Sequence, residues 1–175
     1  NAIELSGQAS GLAQFKDVFD DIRLETDLQV AQLCVNGDTL GLAKVKTDYE
    51  DQSDELWLDV AIDRGTARVF DFVGRYFLKK KENNIDFHVT ADNFYLHTLE
   101  QWMEGVVRNV RGKVSADLRI TGTLEEPEVE GYADFRKAAA TIDYLNTRYN
   151  FSSKVNIRKN EFDLNGITLV DENSH

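Results

Sequence analysis

Three histidines, His88, His97 and His175, are the residues that could bring metal or general-base chemistry. Two imidazoles on one helix face with a carboxylate between them, as in H-E-x-x-H, would hold zinc and activate a water. No such spacing occurs here: His88 falls on the polar parity of a strand, His97 in or beside a helix, and His175 at the terminus. An activated serine is not signalled either, because G-x-S-x-G is absent. Asp and Glu number 31, enough for a glycosidase-like acid/base pair, yet no feature selects two of them. Gly7 and Gly11 stand in a G-x-x-x-G spacing, but in a polar context that voids a membrane-helix reading. Gly112, Gly122 and Gly131 sit near strand ends or turns, where backbone freedom explains them. Cys34 is the only cysteine, so neither an intramolecular disulfide nor a cysteine metal cluster can form. It shares a strand parity with Leu28, Val30 and Gln32 and is expected as a small buried hydrophobe. The expectation is a protein that is not an enzyme and carries no cofactor and no metal.

Composition narrows the partners. The 175 residues suffice for one domain with a real core. Hydrophobic residues make up 42% and charged residues 29%, an ordinary globular balance. The net charge of −11 is the wrong sign for displacing counterions from nucleic acid, so no nucleic-acid partner is expected. Anionic bilayer surfaces are disfavoured on the same ground. The one basic run, Lys79-Lys80-Lys81, precedes Glu82-Asn83-Asn84 and reads as a solvated turn. With Met103 as the only methionine, the chain is expected to be a single unit, residues 1–175, taken from something longer.

The elements that would position any site are strands. Leu24–Val35, Leu40–Tyr49, Leu56–Ile62 and Ile85–Ala91 alternate apolar and polar residues, which places all apolar groups of each on one face. Asn36-Gly37-Asp38 predicts a hairpin, Glu50–Asp54 a polar turn, and Arg64-Gly65-Thr66 another stop. In Val69–Val73 both parities are apolar, which predicts a strand covered on both sides or a bend. The longest alternation is Val114–Leu124, followed by a turn at Glu125–Glu128 that holds Pro127, the only proline. Further strands are expected at Tyr132–Phe135, Ala140–Leu145, Tyr149–Ile157 and Phe162–Leu169, with turns at Asn146-Thr147, Lys159-Asn160 and Asn165-Gly166. Two stretches have helical spacing instead. Gly11–Ile22 fits a short helix or a loop edge, and Phe94–Val107 fits an amphipathic helix through Leu96, Leu99, Met103 and Val106, broadened by Trp102.

The predicted fold class is therefore all-β, mostly antiparallel, with one or two short helices. Leu58, Val60, Phe87, Val89, Leu118 and Ile120 would line one continuous apolar face. Periodicity alone leaves two architectures open: a closed β-sandwich with this face as its core, or an open sheet that curls into an apolar trough.

A family resemblance rests on the order of four motifs. Gly112-x-Val-x-Ala-x-Leu-x-Ile-x-Gly-Thr-Leu is followed by Pro127-x-Val-x-Gly131. Then come Ala140-Thr-Ile-Asp-Tyr-Leu-Asn-Thr-Arg-Tyr-Asn-Phe151 and Phe162-x-Leu-x-Gly-Ile-x-Leu-x-Asp171. Together they resemble the C-terminal region of the TamB family, the translocation and assembly module proteins related to AsmA-like bridge proteins, in a Bacteroidetes-type form. The similarity is best over residues 112–171 and is a general strand rhythm before that. The resemblance implies a long periplasmic protein anchored in the inner membrane, with a β-taco body whose apolar groove serves phospholipid transport between the two membranes. It also implies outer-membrane protein assembly with a barrel partner. The expected cargo is phospholipid acyl chains or unfolded outer-membrane proteins. Groove residues on this reading are Leu56, Leu58, Val60, Ile62, Ile85, Phe87, Val89, Val114, Leu118, Ile120 and Leu124. The alternative is a scaffold that binds nascent outer-membrane strands at a sheet edge by β-augmentation. The chain departs from the family pattern in two ways: no stretch maps onto the barrel-binding C-terminus, and the helix expected at Phe94–Val107 interrupts a uniform groove.

Overall fold

A computed structural model describes residues 4–18, 21–35, 37–50, 53–103, 105–163 and 170–171. Within them the chain is one antiparallel sheet in which neighbours in sequence are neighbours in space. The strands are β1 (Leu5–Val18), β2 (Asp21–Val35), β3 (Asp38–Glu50), β4 (Glu55–Arg64), β5 (Ala67–Phe77) and β6 (Ile85–Tyr95), followed by β7 (Val107–Gly122), β8 (Pro127–Ile142) and β9 (Thr147–Arg158). Two short strands, β10 (Glu161–Asp163) and β11 (Val170–Asp171), both pair with β9. β1 does not pair with β10, so the sheet is open and the closed sandwich does not form.

Several expectations are corrected. The helical spacing in Gly11–Ile22 belongs to β1 and the start of β2, because Ala9, Gly11 and Ala13 pair with Val30, Leu28 and Thr26. Pairing outweighs a weak local period. Tyr132–Phe135 and Ala140–Leu145 are not two strands but parts of β8, which continues through a bulge between Phe135 and Ala138. Leu145 lies in the following turn and is half exposed. Pro127 opens β8, where its missing N–H harms no ladder. The amphipathic helix shrinks to a single 3-10 helix, η1 (Leu96–Met103), while Phe94 stays in β6 and Val107 begins β7. Leu96 and Leu99 are three residues apart, a spacing that suits three residues per turn at least as well as 3.6. The side chain of Trp102 lies outside the described residues, as do residues 19–20 of the Gly11–Ile22 stretch, Asn36, residues 51–52, the Asn165-Gly166 turn with the rest of 164–169, and His175.

Bulges bend the sheet along a line. The cross-strand row Val30–Ala43–Ile62–Phe70–Ala91–Ala116–Ala133–Val155 is regular. Just past it the register shifts on β2 after Val30, at Ile62/Asp63 between β4 and β5, and between Ala91 and Phe94 on β6. Shifts on β7 at Arg111/Lys113 and on β8 at Phe135/Ala138 extend the line. Gln32, Asn93, Gly112 and Lys137 have φ of 53°, 49°, 102° and 48° there. A bulge kinks its strand and increases its twist, so bulges at a common level bend neighbouring strands together.

The Gln32 bulge also reverses parity on β2. Leu33 packs against the core and Val35 is buried, whereas Cys34 is half-buried with its Sγ 3.2 Å from the Thr39 hydroxyl. The expected burial of Cys34 fails because strict alternation cannot anticipate an extra residue.

Beyond the bend β4 and β5 stop at Arg64 and Ala67, leaving a notch between the longer β3 and β6. η1 crosses it. His97 Nε2 lies 3.2 Å from Asp38 Oδ2 on β3, and the Glu100 carboxylate accepts the backbone N–H groups of Asn109 and Val110 on β7, at 2.8 and 3.0 Å. Leu96 joins Val35, Leu40, Val69, Phe94, Val110 and Val114 in one buried cluster. On this side of the bend the protein has a packed core.

Candidate functional site

On the other side of the bend the same face is built from three further rows. Gly11, Leu28, Val45, Val60, Phe72, Val89, Leu118, Gly131 and Ile157 are successive cross-strand partners. The next row is Thr26, Thr47, Leu58, Gly74, Phe87, Ile120 and Val129, and the last is Leu24, Tyr49, Leu56, Tyr76 and Ile85. Direct partners put their side chains on the same side of a sheet. The first of these rows crosses nine strands, and at about 4.8 Å per strand it extends roughly 40 Å.

Ten of the eleven expected groove residues lie on this face. Leu56, Leu58, Val60, Val89, Leu118 and Ile120 are half-buried, whereas Ile62, Ile85, Phe87 and Val114 are buried at 7%, 3%, 7% and 8% exposure. Val114 stands past the bend beside Phe94 and Phe135, and it and Ile62, which lies on the row at the bend, belong to the packed cluster. Leu124 is not part of the face: β7 ends at Gly122, and Leu124 lies in the following bend at 57% exposure. The alternation had carried one step too far, because Thr123 and Glu126 close a turn through the Glu126 N–H donated to Thr123 Oγ1.

The structure adds aromatic side chains that the ambiguous Val69–Val73 segment concealed. Phe70 and Phe72 both point to the apolar face, as their partners Ile62, Ala91, Val60 and Val89 require. Phe72 stacks on Phe87 with ring centroids 4.6 Å apart, and Phe70 meets Phe94 at 5.6 Å across the bend. Gly74, between Leu58 and Phe87, makes room for the latter: a Cβ there would come within 2.7 Å of Phe87 Cδ1. Val69 is buried in the cluster and Val73 faces the other way, opposite Asp59 and His88, so the two apolar parities reflect the shift at Ile62/Asp63.

The opposite face is a lattice of ion pairs. Lys44 Nζ and Arg68 Nε donate to the two oxygens of Asp63, at 2.8 and 2.7 Å. Arg119 holds Asp86 with two hydrogen bonds of 3.0 and 3.1 Å, Arg75 meets Glu55 at 3.0 Å, and His88 Nε2 meets Asp117 at 2.8 Å. His88 and His97 are thus engaged by different aspartates on different elements, and no three ligating side chains converge among the described residues. Exposed pairs of this kind contribute little each; their consequence is a wetted back that contrasts with the apolar front.

The hydrogen bonds from Lys44 and Arg68 hold the Asp63 carboxyl below its ordinary value of 3.8. A depressed folded-state value gives stability that is complete above the unfolded value and is lost as pH falls through the folded one. Urea midpoints should therefore decline on acidification below pH 3.8, and Asp63→Asn should flatten that decline. An unchanged acid limb in the variant would show that Asp63 is not the group responsible.

No protein-family model, no curated protein and no solved structure matches this chain.

Proposed function

We propose that this chain is a non-enzymatic segment of a TamB-type periplasmic bridge, from a parent protein anchored in the inner membrane, whose apolar face carries phospholipid acyl chains between membranes. The observation that supports the reading is the uneven cover of that face. Past the bend η1 and the β2–β3 hairpin pack it into a core, whereas on the near side Leu56, Leu58, Val60, Phe72, Val89, Leu118 and Ile120 remain half-buried around the buried Ile85 and Phe87. Not one large side chain among the described residues is fully buried. A contiguous apolar band with a polar back is what a lipid or protein ligand covers. Acyl chains suit this one, because the row from Leu28 through Val45, Val60, Phe72 and Val89 to Leu118 is wholly apolar and offers no directional polar partner.

A second reading, β-augmentation by nascent outer-membrane strands, draws on β1. Its second edge is unpaired among the described residues and it exposes Leu5, Leu12 and Phe15 at 68%, 57% and 66%. An open edge with apolar side chains is a template for another strand.

The test is photocrosslinking in cells with the probe at Leu118 or, on the back of the same strand, at Arg119. Lipid adducts at Leu118 and none at Arg119 are expected. Protein adducts at both sites, or no adduct at either, would overturn the conduit reading.

A further inference from the structure

We infer that the bend also builds a binding site for a phosphorylated anion, between β7, β8 and the start of η1. A cavity of about 710 Å³ opens there, and Arg111, Lys113, Arg136 and Lys137 line it together with Tyr95. Four cations around one cavity are unexpected on a chain of net charge −11. Elsewhere on the sheet Lys44, Arg68, Arg75, Arg108 and Arg119 each have a carboxylate partner, and Arg64 and Lys154 lie over the rings of Tyr95 and Tyr132. Among the described residues Arg111 and Lys137 have no carboxylate within ion-pair distance, and Lys113 has only the Tyr95 ring, its Nζ 5.1 Å from the centroid. Arg136 alone is matched, with Asp134 at 3.3 Å.

Backbone geometry assembles the cluster. Tyr95, Lys113 and Arg136 are successive cross-strand partners on β6, β7 and β8. The bulges at Gly112 and Lys137 then bring Arg111 and Lys137 to the same cavity. Lys137 holds a left-handed φ of 48°, where glycine or asparagine is at ease and lysine is not. The lysine there places a charge at a position that local backbone preference would give to another residue. Arginine forks and lysine ammonium groups on one concave surface suit the anionic non-bridging oxygens of a phosphate ester, which carries two negative charges as a monoester and one as a diester. The volume exceeds a bare phosphate and leaves room for the organic group that bears it. The site uses none of the half-buried groove residues, so it stands or falls apart from the proposed conduit.

The ligand chemistry, a phosphate ester, could come from a free phosphorylated metabolite or from a phospholipid headgroup. Titration calorimetry with glycerol 3-phosphate, and with dihexanoyl phosphatidylglycerol below its micellar concentration, separates the two. Saturable binding of both probes is expected, weakened at least tenfold by Arg111→Gln with Lys137→Gly and progressively by added NaCl. Glycine relieves the strain at position 137, so the double variant should melt no lower than the parent. Tighter binding of the lipid probe would assign the site to headgroups, and equal binding to free phosphate esters. Absence of saturable binding by either probe, or binding indifferent to the double variant, would overturn the inference.

Discussion

Leu118→Asp should empty the apolar face while leaving the sheet folded. Leu118 sits in its row between Val89 and Gly131, half-buried and four residues inside the end of β7. Because the side chain is only half covered, an aspartate there can keep water on one side, and the cost to folding should be about 1–2 kcal/mol. A bound acyl chain would remove that water. An ionised carboxylate under hydrocarbon then loses its solvation without a partner, which costs several kcal/mol. Lipid copurifying with the protein, measured by native mass spectrometry, should fall at least tenfold. Arg119→Gln, on the polar face, breaks the exposed pair with Asp86 and should leave lipid content unchanged. Full lipid loading in a folded Leu118→Asp protein would refute acyl-chain binding at this face.

Phe94→Ala should act in the opposite way, on stability and not on cargo. Phe94 is 6% exposed, meets Phe70 at 5.6 Å, and lies in the cluster that joins β2 and β3 to η1 and β7. Truncating a buried aromatic typically costs about 3–5 kcal/mol, and the lower half of that range is expected where the surrounding strands can relax. Leu58→Ala, on the half-buried band, should cost about 1 kcal/mol, since much less area is withdrawn from water. Urea denaturation of the two variants measures the contrast. Equal losses would mean that the two sides of the bend are equally packed and that no part of the face is left for a ligand.

That contrast could not have been read from the pattern of residues. Phe94, Leu96 and Val114 look no more buried in sequence than Leu58, Val60 and Leu118, because alternation reports which face a side chain takes and not what lies above it. The cover comes from η1 crossing the notch left by the short β4–β5 hairpin, held through His97 by Asp38 of the distant β3 and through Glu100 by the backbone of β7. Cys34, Leu124 and the division of β8 went astray for a related reason. A bulge or a turn inserts or removes one residue, and every position beyond it changes face.

The sequence by itself determined the secondary structure class, the shared apolar face of Leu56 to Ile62, Ile85 to Val89 and Leu118 to Ile120, and the acidic surface. These follow from a two-residue period and from composition, both local properties. Tertiary structure alone decided that the sheet stays open, that it bends along one line, and that half of its apolar face is covered. It also gathered Arg111, Lys113, Arg136 and Lys137 around one cavity. Each of these depends on register between strands, and register is set by the sum of cross-strand contacts over the whole sheet, which no single stretch of residues contains.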